Sequence, residues 1–340
     1  MLLAVDVGWV WCLHVSSASL PTLAVVGWAS VSWGNATSDV ALRVARCEEV
    51  DRARDDEHHP CRQIVELQAD RRKRSGQFQV PEAWAGSIES AKIVFVSSNP
   101  SISEDGAAHG AAFPEEYPRH SWSDSCIVDF ITRRFEPDAK WTRGNHFLCQ
   151  NGTYAPKEVV FWSLVQKRAC ELVDQAAPGR DYVMTEIVHC KSQKEAGVTR
   201  AARHCFDRHF EAIIRLSPAP LVVVLGAKAR DLLRKALELG PRFGSKATVG
   251  LDEQANLAVR RLGGHDRVVS YLWHPTGMTA RKTFALSYPS RISELRRLVR
   301  GEMSVSEFAY QEADHRYGPK GPGSCRLDAS RRQQPSSVRR

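Results

Sequence analysis

Residues 91–98 read Ala-Lys-Ile-Val-Phe-Val-Ser-Ser, in which an unbroken run of β-branched and aromatic side chains at 93–96 ends in two small polar ones. A strand with one wet face alternates apolar and polar residues. A run that is apolar at every position has no wet face, and this is the pattern of a strand covered on both sides in a parallel sheet. The same pattern recurs in residues 182–188 (YVMTEIV), Leu221–Leu225 (LVVVL) and 268–273 (VVSYLW). Between these runs, residues 158–173, 199–216 and 227–239 repeat apolar positions at three- and four-residue spacing, as does 291–299 after the last run. Strands joined by crossover helices predict a single α/β domain, a three-layer sandwich around a four-stranded, mainly parallel sheet. Open sheets of this kind take their ligands beyond the carboxyl ends of the strands, so the loops after the runs are where chemistry is expected.

The 340 residues are ample for one such core with ragged ends. The formal net charge of +8 points to a polyanionic partner. That charge is concentrated, since residues 315–340 hold seven Arg or Lys against one acid, Asp328. Residues 304–340 therefore read as a basic disordered tail, richest in Pro, Gly, Ser and Arg from about Tyr310. Residues 1–57 read as an atypical extension, disordered or not native. Their first 46 positions carry four of the nine tryptophans, few charges and neither helical nor alternating period. They lack the basic start of a signal peptide. No stretch reaches the roughly 18 uninterrupted apolar residues that span a bilayer. Nine irregularly spaced cysteines do not form a secreted disulfide framework, so a reducing, cytoplasmic setting and a monomer are expected. Neither a Gly-x-Gly-x-x-Gly nor a Gly-x-x-x-x-Gly-Lys is present, which weighs against a nucleotide-handling enzyme.

Two loops stand out. The first run ends in Val96-Ser97-Ser98-Asn99-Pro100-Ser101 and the last in His274-Pro275-Thr276-Gly277-Met278-Thr279. Together they resemble the paired active-site motifs of the uracil-DNA glycosylase superfamily, with patterns such as Gly-x-Asn-Pro-Gly in the first loop and His-Pro-Ser-x-Leu in the second. The segment Thr185-Glu186-Ile187-Val188-His189-Cys190-Lys191, followed by Cys205, is similar to the Thr-Asn-Val-Val-Lys-Cys segment of the iron-sulfur members. The resemblance includes Glu104-Asp105 and spans about Cys61 to Arg300, so residues 58–303 would form the glycosylase-like domain.

The resemblance implies hydrolysis of the N-glycosidic bond of a damaged base in DNA, after the base is flipped out of the duplex. Asn99 would place the attacking water, and His274 would stabilise the negative charge that grows on the departing base. Ser98, Phe113 and Glu186 would contact the base. Met278 takes the place of the wedge that fills the vacated stack, and Arg281 and Lys282 suit phosphate contacts. The resemblance further implies a [4Fe-4S] cluster on Cys61, Cys190 and Cys205, with Cys47 or His58 as the fourth ligand. The same cysteines also read as small buried hydrophobes, and zinc is the lesser metal alternative.

Glu186 departs from the family, which carries a base-reading Asn there. An amide both accepts and donates, whereas an ionised carboxylate only accepts. Either burial keeps Glu186 protonated, or the preferred base is not uracil, or the residue is structural. Ser97 and Ser101 replace family glycines, which narrows the floor of the site. The competing function is a nucleic-acid-binding member that has lost catalysis and docks through the tail and the Arg71-Arg72-Lys73-Arg74 run.

Overall fold

The computed structural model describes residues 33–75, 78–101, 109–277 and 282–309. In chain order they form helices α1 (Trp33–Ala45), α2 (Glu49–Asp55) and α3 (Arg62–Ser75), strand β1 (Ile93–Ser97), and helix α4 (Asp124–Arg133). A small ribbon of β2 (Thr142–Arg143) and β3 (His146–Phe147) precedes α5 (Val160–Cys170) and β4 (Tyr182–Glu186). Then come α6 (Val198–Leu216), β5 (Leu221–Leu225), α7 (Ala227–Ala236), β6 (Leu257–Leu262), β7 (His265–Leu272), α8 (Phe284–Ser287) and α9 (Ile292–Val299).

The main sheet has the order β4-β1-β5-β7-β6, and every pair except β6–β7 is parallel. β1, β4 and β5 are buried at all positions, as their continuous apolar runs require. Successive residues divide between two cores. Val94, Val96, Val183, Val222, Val224 and Val269 pack on one face with α1, α4, α6 and α7. Ile93, Phe95, Met184, Leu221, Val223 and Val268 pack on the other with α5, α8 and α9. Helices on both faces of a parallel-rich sheet make the expected α/β sandwich.

The sheet has five strands rather than four. The added strand, β6, pairs antiparallel with β7 through a hairpin whose two turn residues, Gly263 and Gly264, have φ of 60° and 85°. That conformation matches the right-handed twist of the flanking strands. Arg260 and Arg261 interrupt the apolar pattern of β6, as suits an edge strand with one solvated side.

The ends are also corrected. Ala41, Val44, Ala45, Val50 and Ala53 of α1 and α2 are buried in the first core, so residues 36–57 are part of the body and not an extension. Phe308 is fully buried in the second core, where Arg291 lies over its ring at 4.4 Å, so the body continues past residue 303. The rest of the tail lies outside the described residues. No helix among the described residues is long and apolar enough to cross a membrane.

Arg267 on β7 is fully buried. It donates to the carbonyls of Leu262 (3.0 Å), Ile214 (3.1 Å), Ser217 (2.5 Å) and Ala219. It thereby ties the end of α6 and the turn after it to the β6–β7 hairpin, adding a donor to the Ile214 carbonyl, which also accepts from Ser217 N–H at 3.1 Å.

Candidate functional site

β1, β4, β5 and β7 run parallel, so their carboxyl ends share one edge of the sheet. Ser98, Asn99 and Ser101 leave β1, Glu186 ends β4, and His274 and Thr276 follow β7; all of them line one cavity of about 420 Å³. Asn99 lines the cavity, and its Nδ2 donates to the Pro100 carbonyl at 2.8 Å. The His274 ring stacks on Phe161, with centroids 5.4 Å apart and planes 20° apart, and its Nδ1 lies 2.9 Å from Thr276 Oγ1. Burial lowers the His274 pKa, Glu195 raises it and Lys282 lowers it further; the net direction is down, which favours a neutral ring.

Glu186 is buried and its Oε2 has no hydrogen-bond partner. Around it lies a buried polar network. Arg134, flanked by the Phe130 and Trp162 rings at 4.5 Å each, donates to Glu82 at 2.9 Å and also to Glu115. Lys191 donates to Glu115 at 3.2 Å and sits 3.5 Å from the Tyr117 ring centroid, while Tyr117 donates to Glu82 at 3.0 Å. Two cations thus meet three carboxyl groups, and both cations are engaged by Glu82 and Glu115. Burial first, then the Glu82 charge, push Glu186 well above the carboxylate range, against the smaller opposing pull of Arg134 and Lys191.

Phe113 is corrected: it is 46% exposed and does not line the cavity. Its loop is tied at both ends, by Lys157 N–H to the His109 carbonyl and by Gln150 N–H to the Pro114 carbonyl, which leaves Phe113 outside. The aromatic walls are instead Phe147, Phe161 and Trp162. Lys282 stands near His274, with its own carbonyl accepting from Arg168 at 3.2 Å. Met278, Arg281, Glu104 and Asp105 lie outside the described residues, as do the side chains of the Arg71–Arg74 run.

A second cavity lies on the first core. Cys47, Cys61, Cys190 and Cys205 all line it, together with His189, His204 and His209. Burial raises all four thiol pKa values, those of Cys61 and Cys205 to about 12, and for Cys61, Cys190 and Cys205 the charge of neighbouring thiolates adds to it. His189 Nε2 and His209 Nδ1 are buried without partners, and His209 Nε2 lies 3.3 Å from Cys47 Sγ. His58 is turned away, with 86% of its side chain exposed, so Cys47 and not His58 joins the other three thiols. Alongside, Glu49 Oε2 accepts from His59 (2.8 Å) and His204 (3.0 Å), and its Oε1 accepts from Arg52 (2.8 Å) and pairs with Arg208 (3.1 Å). His59 Nδ1 accepts from Cys61 N–H at 3.1 Å. These three atoms within 4.8 Å of one another have the proximity of a metal site. The carboxylate is nevertheless already filled by donors, two of them permanent cations.

No protein-family model matches the chain, and no curated protein matches it either. The buried network of Glu82, Glu115, Arg134 and Lys191 was not anticipated from sequence. Only Lys191, next to Cys190, lay in a segment already singled out.

Proposed function

We propose that the protein is a DNA glycosylase that hydrolyses the N-glycosidic bond of a flipped-out damaged base. The observation that carries this reading is the convergence of Asn99, Glu186 and His274, from three separate strand ends, on one cavity, where the buried Glu186 carboxyl group has one oxygen, Oε2, without a hydrogen-bond partner. Asn99 Oδ1 holds the water that attacks C1′. The base leaves with the electron pair of the broken bond, and the neutral His274 ring donates to it where the charge gathers. A protonated Glu186 offers one O–H donor and one carbonyl acceptor, the pair an amide would offer. That pair fits an imide edge, N3–H beside O4, as in uracil. The rings of Phe147 and Phe161 supply apolar surface for the flipped base.

Four thiols line one cavity, and thiolate is the donor that an iron-sulfur cluster takes. Burial and mutual repulsion disfavour four thiolates unless cations draw them together, and an iron centre supplies that charge. Cys47, Cys61, Cys190 and Cys205 would hold a [4Fe-4S] cluster that staples the segment between α1 and α3 to β4 and α6. The basic residues of the tail would add sequence-independent attraction to phosphate.

A panel of oligonucleotides, each with one modified base, tests the reading: incubation with purified protein followed by alkali should cleave at the excised base. Binding without any alkali-labile site would contradict it and favour a DNA-binding protein without catalysis.

A further inference from the structure

Between β4 and α6 the chain takes a strained path. Lys194 and Glu195, at φ of 52° and 56°, are consecutive left-handed residues, a conformation that side chains with a Cβ rarely adopt. The bend is held against the first loop, since Ser192 N–H donates to the Pro100 carbonyl at 3.1 Å and Ser192 Oγ to the Ala196 carbonyl at 2.7 Å. Its effect is to bring Glu195 to the rim of the catalytic cavity, where its carboxylate accepts from Ser98 Oγ at 2.5 Å and pairs with Lys228 of α7 at 2.7 Å. Half-exposed ion pairs add little to stability, so the pair alone does not account for two strained residues side by side. Strain of this kind collects at functional sites.

We infer that Glu195 is the general base of the hydrolysis proposed above, accepting the proton of the water that Asn99 orients. As the water oxygen bonds to C1′, the C1′–N bond breaks and its electron pair leaves with the base. The water's proton passes to the Glu195 carboxylate, which releases it to solvent at the open rim. Three groups face that carboxylate, Ser98 from the first loop, Lys228 from α7 and His274 from the last loop, and Lys194 of the same bend also lines the cavity. Burial opposes ionisation, but the hydrogen bonds from Lys228 and Ser98 and the Lys228 charge outweigh it and hold Glu195 below the usual carboxylate range. A base must be ionised before it can accept a proton, and this environment keeps it so. Asn99, a poor proton acceptor, then needs only to position the water.

The assignment rests on the glycosylase reading, and single-turnover excision across the acid-to-neutral range separates the two. Glu195→Gln keeps the shape but cannot take the proton; it should lose roughly 10²-fold or more in rate with DNA affinity retained, and its profile should lack the acid limb. Glu195→Asp should recover part of the rate. Lys228→Met should lose less than Glu195→Gln, with the acid limb displaced to higher pH because the cation that favours ionisation is gone. Native-like turnover by Glu195→Gln would overturn the assignment alone. So would equal losses in Glu195→Gln and Lys228→Met with both acid limbs unmoved, which would make the pair a structural tie. Absence of any alkali-labile product from the native protein would overturn the glycosylase reading and the assignment with it.

Discussion

Gly226 passes so close beneath His274 that a Cβ placed on it would lie 3.3 Å from His274 Cβ and 3.4 Å from the ring. Gly226 closes β5, its N–H donates to the Leu272 carbonyl at 3.1 Å, and its φ of +83° belongs to glycine. The residue that ends one strand thus fixes where the imidazole of the next can sit. Gly226→Ala should cost about 1–2 kcal/mol of stability through strain. It should also lower turnover by roughly 10-fold or more through displacement of the ring. Urea unfolding and excision rates measure the two effects. A stability loss without a rate loss would show that the position of His274 is unimportant.

Glu186 makes stability pH-dependent in a direction opposite to that of a salt-bridged acid. Burial and the Glu82 charge raise its folded pKa, so the folded chain keeps a proton that the unfolded chain releases. Between the unfolded and folded values, stability attributable to this residue falls as pH rises, by at most about 1.4 kcal/mol per pH unit. Glu186→Gln cannot ionise, so its stability relative to the native protein should improve steadily through that window in urea unfolding. A difference independent of pH would mean that Glu186 titrates in the folded protein as it does in the unfolded one.

The strand ends were legible in the sequence because a buried parallel strand writes itself as an apolar run and a loop after it as small polar residues. Leu221–Leu225 was read to the residue, and the predicted 199–216 helix became Val198–Leu216. β6 was missed because an edge strand needs apolar residues on one side only, and Arg260 and Arg261 broke its run. The Gly263-Gly264 pair was the signal for its hairpin. α1 and α2 were missed for a different reason: the tryptophan-rich, charge-poor stretch before them has no period, and the boundary was set too late, at residue 57. Buried Ala41, Val44 and Ala45 do repeat at helical spacing. Asn99, Glu186 and His274 could be found because each sits next to a strand. Arg134, Glu82 and Glu195 could not, since their places depend on which turns of chain come together in space. Phe113 was misplaced because sequence distance from the first loop says nothing about which way the loop turns.

The thiol cavity predicts metal content. Protein purified without oxygen should be brown and carry about four irons per chain, as thiolate-bound clusters of this type do. Cys47→Ala, Cys61→Ala, Cys190→Ala and Cys205→Ala should each bleach it, whereas His58→Ala should leave it coloured, because that ring faces solvent. Zinc in place of iron, or no metal at all, would contradict the assignment.

Arg267 predicts a purely structural effect. Arg267→Met removes the guanidinium donors from the carbonyls of Ser217, Ala219 and Leu262 and leaves that of Ile214 with the Ser217 N–H alone. Unfolding free energy should fall by roughly 2–4 kcal/mol. A loss below about 0.5 kcal/mol, the range of ordinary surface changes, would mean that water replaces the guanidinium.

The central claim is that Asn99 and His274 act on a glycosidic bond in DNA, and single-turnover excision by the native chain and its Asn99→Ala and His274→Ala variants tests it most directly. On the best substrate of a modified-base panel, the native protein should leave an alkali-labile abasic site. Each variant should be slower by roughly 10²-fold or more while binding the same duplex within a few-fold, because both side chains act on the transition state. Excision that survives both substitutions unchanged, or a native protein that binds every duplex and opens none, would contradict the account.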